Sequence, residues 1–377
     1  MSSSQSSSRG WRRGRKRAAT FSSETQSTPT GPTATTTTTG NTRPHNRNFQ
    51  QNLIDHGVYP HAYKYPDGRV PAKSTDWEEI NQRLAQPRSS LSPSKFSEEA
   101  FEEFVQADAH AFKENKVTDS VIPIIEGKII DGKCVSGGIP LTNLDHLTDG
   151  TIAPGNPDRF YGARPEQLDR RIWNELSSRI IPSTQDDLPM VPNFFLAAKG
   201  PDGNAAVARK QACYDGALGA RGMQSLQSYG KTEPVYDNNA YTITSIYNDG
   251  TLKIYTSHPS QPASSGGRPE YYMNQLNGYA MTANSNTFRQ GAAAYRNARD
   301  WAKEKRDGFI EAANGKFPDT YNESQSLGSS GYGRASISTA GPVLVESDTS
   351  ADELAPDEEQ AYTSFSKRPR REVLISN

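Results

Sequence analysis

The chain has 377 residues and a formal net charge of −1, and 33% of its residues are apolar. That share falls below the roughly 45–50% of an average globular chain, so a packed core running from end to end is not expected. The near-neutral balance argues against a domain that grips nucleic acid by bulk charge, although a local basic groove would still serve.

Residues 1–47 are rich in Ser and Thr, and eight Lys/Arg stand there against Glu24 alone. Without apolar periodicity this stretch reads as a disordered basic arm. Arg12, Arg13, Arg15, Lys16 and Arg17 form one compact cluster, and Lys367, Arg368, Arg370 and Arg371 form another near the other end. Two such clusters in polar tails read as nuclear-import signals, with plain solvated charge as the alternative. No apolar segment follows Met1, so no secretory signal is expected. No apolar run approaches the roughly 20 residues of a membrane span. Cys134 and Cys213 have no neighbours at metal-ligand spacing and fit a reducing compartment.

From Asn48 the chain becomes aromatic, then enters a short helix with Asp76 as N-cap and Ile80 and Leu84 on one face. Residues 48–88 are expected to dock on the core as an extension, with Ser89–Ser94 as a hinge. The core itself is expected over 89–314. Ser97 caps a helix carrying Glu98 and Glu99 in its first turn. Val121–Ile125 reads as a strand or one end of a hairpin, and 149–161 as a second strand. Pro165 opens a helix on which Leu168, Ile172 and Leu176 recur every fourth residue.

Asn193–Lys199, bounded by Pro192 and the Gly200-Pro201-Asp202-Gly203 turn, has the signature of a buried strand. A helix over 205–225 follows, weakened by Gly216, Gly219 and Gly222. Asp249-Gly250 marks a hairpin between 241–247 and 252–256. A long helix over 287–313 closes the domain. Residues 315–377 form an acidic tail that ends in the second basic cluster. The fold class is therefore α/β (α+β), a central mixed sheet flanked by helices.

Phosphate-binding loops, zinc-protease motifs and nucleophile elbows are absent from the sequence. One constellation remains. Asp158 closes one strand, Lys199 ends another, and Gln211 lies on the next helix with Tyr214 beside it. This order and spacing resemble the PD-(D/E)xK nuclease fold, whose core runs helix, three strands, helix, strand. The resemblance implies catalytic roles for Asp158, Lys199 and Gln211, and magnesium held in part by Asp158. Such a cation lowers the pKa of a bound water and offsets charge on the phosphate. The pattern needs an acid where this chain has Ala197, so Asp202, Glu126 or Glu166 would have to supply it. Asp187 is a poorer substitute for Asp158, because Pro189 and Pro192 spoil its segment as a central strand. Glu126-Gly127-Lys128 repeats the spacing of acid and lysine and reads as an exposed ion pair at a sheet edge. The bland reading of the set is a turn aspartate, a lysine reaching to water, and a glutamine bonded in the core.

The phrases NPDRFYGARPEQLDRR (156–171), PNFFLAAKGPDGNAAVARKQACYDGALGARGMQSLQSYG (192–230) and EPVYDNNAYTITSIYNDGTLKIYT (233–256) carry a second resemblance. PDGRVPAKSTDWEEINQRLAQPR (66–88) and FRQGAAAYRNARDWAKEKRD (288–307) extend it. Together they resemble domain of unknown function 7924, a family of filamentous ascomycete fungi, over about residues 48–314. It implies a fungal, intracellular protein and brings no activity of its own. The leading expectation is a catalytically degenerate nuclease-like domain binding nucleic acid or a protein partner in the nucleus. The alternatives are an active Mg-dependent nuclease and a non-enzymatic interaction scaffold.

Overall fold

A computed structural model describes residues 42–317 apart from Asp186 and Ser265. The arm ahead of residue 42, the acidic tail and both basic clusters lie outside the described residues. The chain opens with α1 (Phe49–Asp55), β1 (Val58–Tyr59), α2 (Trp77–Leu84) and α3 (Glu98–Ala109). Next come α4 (Glu114–Lys116), a π-helical turn (Val117–Val121) and α5 (Ile122–Glu126). Then follow β2 (Val135–Ser136), β3 (Arg159–Ala163), α6 (Arg170–Ile180) and β4 (Met190–Lys199). The remainder is α7 (Ala205–Gln227), β5 (Thr242–Asn248), β6 (Thr251–Ser260), β7 (Glu270–Ala280) and α8 (Ser285–Asn314).

The strands make one seven-stranded mixed sheet in the order β1-β7-β6-β5-β4-β3-β2. Pairings β2–β3, β3–β4, β5–β6 and β6–β7 are antiparallel, whereas β4–β5 and β1–β7 are parallel. The parallel β4–β5 pair requires a crossover, and α7 provides it. Every residue of β4 is buried, because helices cover both faces of the sheet there. Alternation along the strand sorts its side chains. Phe194, Leu196 and Ala198 pack with Tyr295, Ala298 and Ala302 of α8, while Phe195 and Ala197 pack with Ala208, Ala212 and Cys213 of α7. Lys199 follows Phe195 and Ala197 at period two and so belongs to the α7 side.

The glycines of α7 have a packing role that outweighs their low helix propensity. A Cβ at Gly219 would meet the Phe195 ring at 2.6 Å, and one at Gly216 would meet Ser257 Oγ at 2.3 Å. They let the helix lie close on the sheet. On the opposite side, Asn193 Nδ2 donates to the Tyr241 and Ala302 carbonyls at 2.8 and 2.7 Å, and its Oδ1 accepts from buried Arg306 at 2.8 Å. That network ties β4 to α8 through a fully hydrogen-bonded amide.

The strand expected at 121–125 is helical instead. Val117, Val121, Ile122 and Ile125 are buried at helical spacing, and the apolar run VIPII carries no alternation to separate the two readings. The second expected strand shortens to Arg159–Ala163, and the residues before it form loop apart from a bridge between Thr42 and Ile152. Pro165 begins a 3-10 turn, and the α-helix starts at Arg170 under the Asp169 cap. Ser97 caps α3 as expected. Asp76 does not cap α2; its carboxylate accepts the Ala240 amide at 3.0 Å. The supposed hinge is packed: Leu91 is buried, and Arg88 donates to Asn297 and Asp300 on α8 at 2.9 and 2.7 Å. β7 went unforeseen, because Asn274, Gln275 and Asn277 interrupt its apolar pattern. The segment 48–88 feeds both cores, Phe49 and Leu53 on the α7 side, Ile80 and Leu84 on the α8 side. Among the described residues no helix is long and apolar enough to cross a membrane.

Candidate functional site

Three of the residues singled out in the sequence meet in one cavity of about 430 Å³. Asp158 stands just ahead of β3, and its Oδ2 accepts the Ala198 amide of β4 at 2.7 Å. Lys199 closes β4, with Nζ 3.6 Å from that same carboxyl oxygen. Gln211 comes from the second turn of α7 and donates to the Asn156 carbonyl at 2.6 Å. Antiparallel pairing of β3 with β4 is what carries residues forty-one positions apart to one end of the sheet. Tyr214 lines the same cavity, edge-on to Phe49 of α1 at 6.1 Å.

Two further acids join them, and sequence reasoning missed both. Glu114 opens α4 and places Oε1 2.8 Å from Lys199 Nζ. Its surroundings, FKENKVTDS, are mostly polar and gave no signal. Asp215 lies one turn beyond Gln211 on α7, is 1% exposed, and has no hydrogen-bond partner for Oδ1. Here a signal existed: an acid inside the small, apolar stretch CYDGALGA, four residues after Gln211. The Pro154-Gly155-Asn156 loop is shaped around it, since a Cβ at Gly155 would stand 2.4 Å from Asp215 Oδ1.

The cavity therefore sets three carboxyl groups against the single ammonium of Lys199. Burial pushes the Asp158 carboxyl up to about 7; Lys199 opposes the rise and Glu114 adds to it. Burial raises Asp215 well above the ordinary carboxylate range, and the Asp158 charge raises it further. Lys199 lies between Glu114 and Asp158 and screens their repulsion. Hard oxygen donors of this kind match a divalent cation such as magnesium, whose charge would favour their ionised forms. Among the described residues, however, no group of three or more His, Cys, Asp or Glu stands already gathered to hold a metal ion. The chemistry of the donor set fits; its side chains would have to draw together.

The other candidates lie elsewhere. Ala197 is buried beneath α7 and supplies no polar atom. Asp202 is exposed in the turn after β4, and Glu166 is exposed in the 3-10 turn before α6. Asp187 is exposed ahead of β4. Glu126 is not part of an exposed edge pair: it is 1% exposed and receives Arg159 Nη1 at 2.7 Å. Arg159 follows Asp158 in an extended segment, so it points to the other face of the sheet, and Glu126 with it.

The fold and site together describe a mixed α/β domain with an acid-rich, lysine-bearing cavity at one end of its central strands. No protein-family model, curated protein or solved structure matches the chain.

Proposed function

We propose that the domain is a nuclease-like phosphodiesterase that works with a divalent cation, its missing strand acid replaced from α7. The observation that carries this reading is the meeting of Asp158, Lys199 and Gln211 with Asp215 in one cavity. Element order supports it too. A helix (α4–α5), three antiparallel strands (β2, β3, β4), a helix (α7) and a strand parallel to the third (β5) follow the order stated for the PD-(D/E)xK core, with α6 as an extra helix inserted between β3 and β4. Asp158, Asp215 and Glu114 would hold magnesium, which supplies a water of lowered pKa and charge to offset the phosphate. Lys199, released from its bridging role, would face the phosphate and stabilise negative charge building there. Gln211 holds the Asn156 loop and thereby the wall against which the substrate rests.

Electrostatics favours cation dependence. A phosphate approaching these acids in their ionised forms would be repelled unless positive charge arrived with it. A second reading keeps the fold and drops the chemistry: a degenerate domain that binds nucleic acid or a nuclear protein partner. Ala197 favours it, as does the ammonium of Lys199 already seated between Glu114 and Asp158. The phrases that resemble the fungal domain of unknown function, and the two basic clusters, are consistent with an intracellular, nuclear setting under either reading.

The test incubates the full chain with DNA and with RNA, with and without magnesium. Cation-dependent cutting that disappears in Asp158→Ala, Lys199→Ala and Asp215→Asn is expected. Cutting that survives the first two substitutions sinks the site. Salt-sensitive binding without cutting selects the degenerate reading, and neither activity leaves a scaffold.

A further inference from the structure

A second cleft, of about 900 Å³, opens on the same α7 helix two turns beyond Asp215. It runs between α6, the 145–148 loop and the segment leading into β7. Arg221 forms part of its wall and is 3% exposed. Among the described residues its Nη1 reaches only the His146 carbonyl, at 3.4 Å, while Nε and Nη2 have no partner. In a guanidinium those two N–H groups lie along one edge and point the same way. That edge is the fork that grips two oxygens of one oxyanion. A buried guanidinium with its fork unsatisfied is unusual, because desolvating a charge without a counter-ion is strongly unfavourable.

The neighbours do not supply the counter-ion. Asp145 is half-exposed and already engaged, accepting Ser178 Oγ at 2.8 Å and pairing with Arg179 at 3.3 Å. Glu175 lines the cleft but makes no ion pair with Arg221. Arg179 and Arg268 add positive charge to the rim, and Tyr236 and Tyr271 offer aromatic surface. The cleft is too large for a bare ion and has room for a molecule of nucleotide size.

We propose that this cleft binds a small phosphorylated molecule whose phosphate seats on the Nε–Nη2 edge of Arg221, with Arg268 closing over it. Both nitrogens are shielded from solvent, so the phosphate reaches them by displacing a lining side chain. The site needs nothing from the Asp158 cavity, and it stands or falls apart from the nuclease-like reading.

Thermal melting of the full chain against inorganic phosphate, with chloride at matched ionic strength as the control, tests it. A saturable rise in Tm is expected with phosphate and not with chloride. Arg221→Gln should weaken phosphate by roughly tenfold to a hundredfold, the loss of a bidentate charged contact. The exposed Arg268→Gln, which leaves the core untouched, should weaken it by about threefold and covers the case in which Arg221→Gln misfolds. A nucleoside monophosphate and a single-stranded oligonucleotide then compete for the site. Displacement by the former at lower concentration supports a small-molecule ligand; displacement by the oligonucleotide alone assigns the fork to a nucleic-acid backbone and overturns the small-molecule source. No phosphate response, or one unchanged in both variants, overturns the site as an adventitious anion only.

Discussion

Lys199 stands among three acids, and each of its neighbours feels its removal differently. Lys199→Met leaves largely buried Asp158 facing half-exposed Glu114 with no ammonium between them. With one partner half in solvent and the other able to take up a proton, the loss should be about 1 kcal/mol, and urea denaturation should show it. Asp215→Asn acts in the opposite direction. The buried carboxyl carries a raised pKa, so holding it in the fold disfavours its charged form. Replacing it with a neutral isostere should raise stability at pH 7, read as a higher denaturation midpoint. A residue that lowers stability yet fills a cavity next to Asp158 and Lys199 is what a functional acid looks like. A rise in stability with no loss of cation response would count against that role. Gly155 tests the geometry from outside. Gly155→Ala drives a methyl group against Asp215 Oδ1 and Leu218, costing about 2 kcal/mol. In the Gly155→Ala/Asp215→Ala double variant the severe contact is gone and only the milder approach to Leu218 at 3.1 Å and Leu141 at 3.3 Å remains, so the two costs should couple rather than add. Simple additivity would show that Gly155 is required for some other reason.

At the scale of elements, α7 shows how tertiary packing reverses a local preference. Gly219 lowers helix propensity, and Ala in its place would gain about 1 kcal/mol in an isolated helix. In the fold that methyl meets Phe195, Thr242 and the Pro192 carbonyl, all within 3.0 Å. Gly219→Ala should therefore destabilise by about 2 kcal/mol, measured by chemical denaturation, and a stabilised variant would show that α7 does not pack this closely. The same crossing explains the position of the site. Because α7 lies tight on β4, its second and third turns bring Gln211 and Asp215 over the end of the strand. One step outward, at helix spacing, Arg221 enters the second cleft. Propensity could place α7 in the sequence but could not show what its small residues were for. β7 and α5 show the converse failure. Polar residues hide the strand, and an unbroken apolar run disguises the helix, because periodicity is lost when both sides of an element are used.

For the molecule as a whole, pH dependence below neutrality combines opposing parts: the raised carboxyls of Asp158 and Asp215 favour the fold as pH falls, and one histidine disfavours it. His258 in β6 is 2% exposed, and burial lowers its pKa to about 4, with Asp237 opposing slightly. An unfolded histidine takes up its proton near pH 6.5. Between pH 6.5 and about 4 the unfolded chain therefore binds the proton and the folded one does not, so stability present above pH 6.5 is lost as pH falls. The contribution is about 3 kcal/mol across that window. Comparing native protein with His258→Gln over the window isolates it: the native chain should lose more stability. Parallel curves would refute the assignment.

By itself the sequence determined the class of fold, the central strand at 193–199, the crossover helix after it, the hairpin at Asp249-Gly250 and the long closing helix. Each has a local cause in apolar spacing, turn chemistry or capping that acts within a few residues. It also singled out Asp158, Lys199 and Gln211, because strand alternation and chain order restrict where a polar group at a strand end can face. Only the tertiary structure decided that Glu114 and Asp215 complete that cavity, that Glu126 belongs to the opposite face, and that Arg221 is buried without a counter-ion. Those facts depend on pairing register and on helix-to-sheet distance, which bring together residues separated by scores of positions. No pattern along the chain encodes such a meeting, because it is set by which surfaces pack.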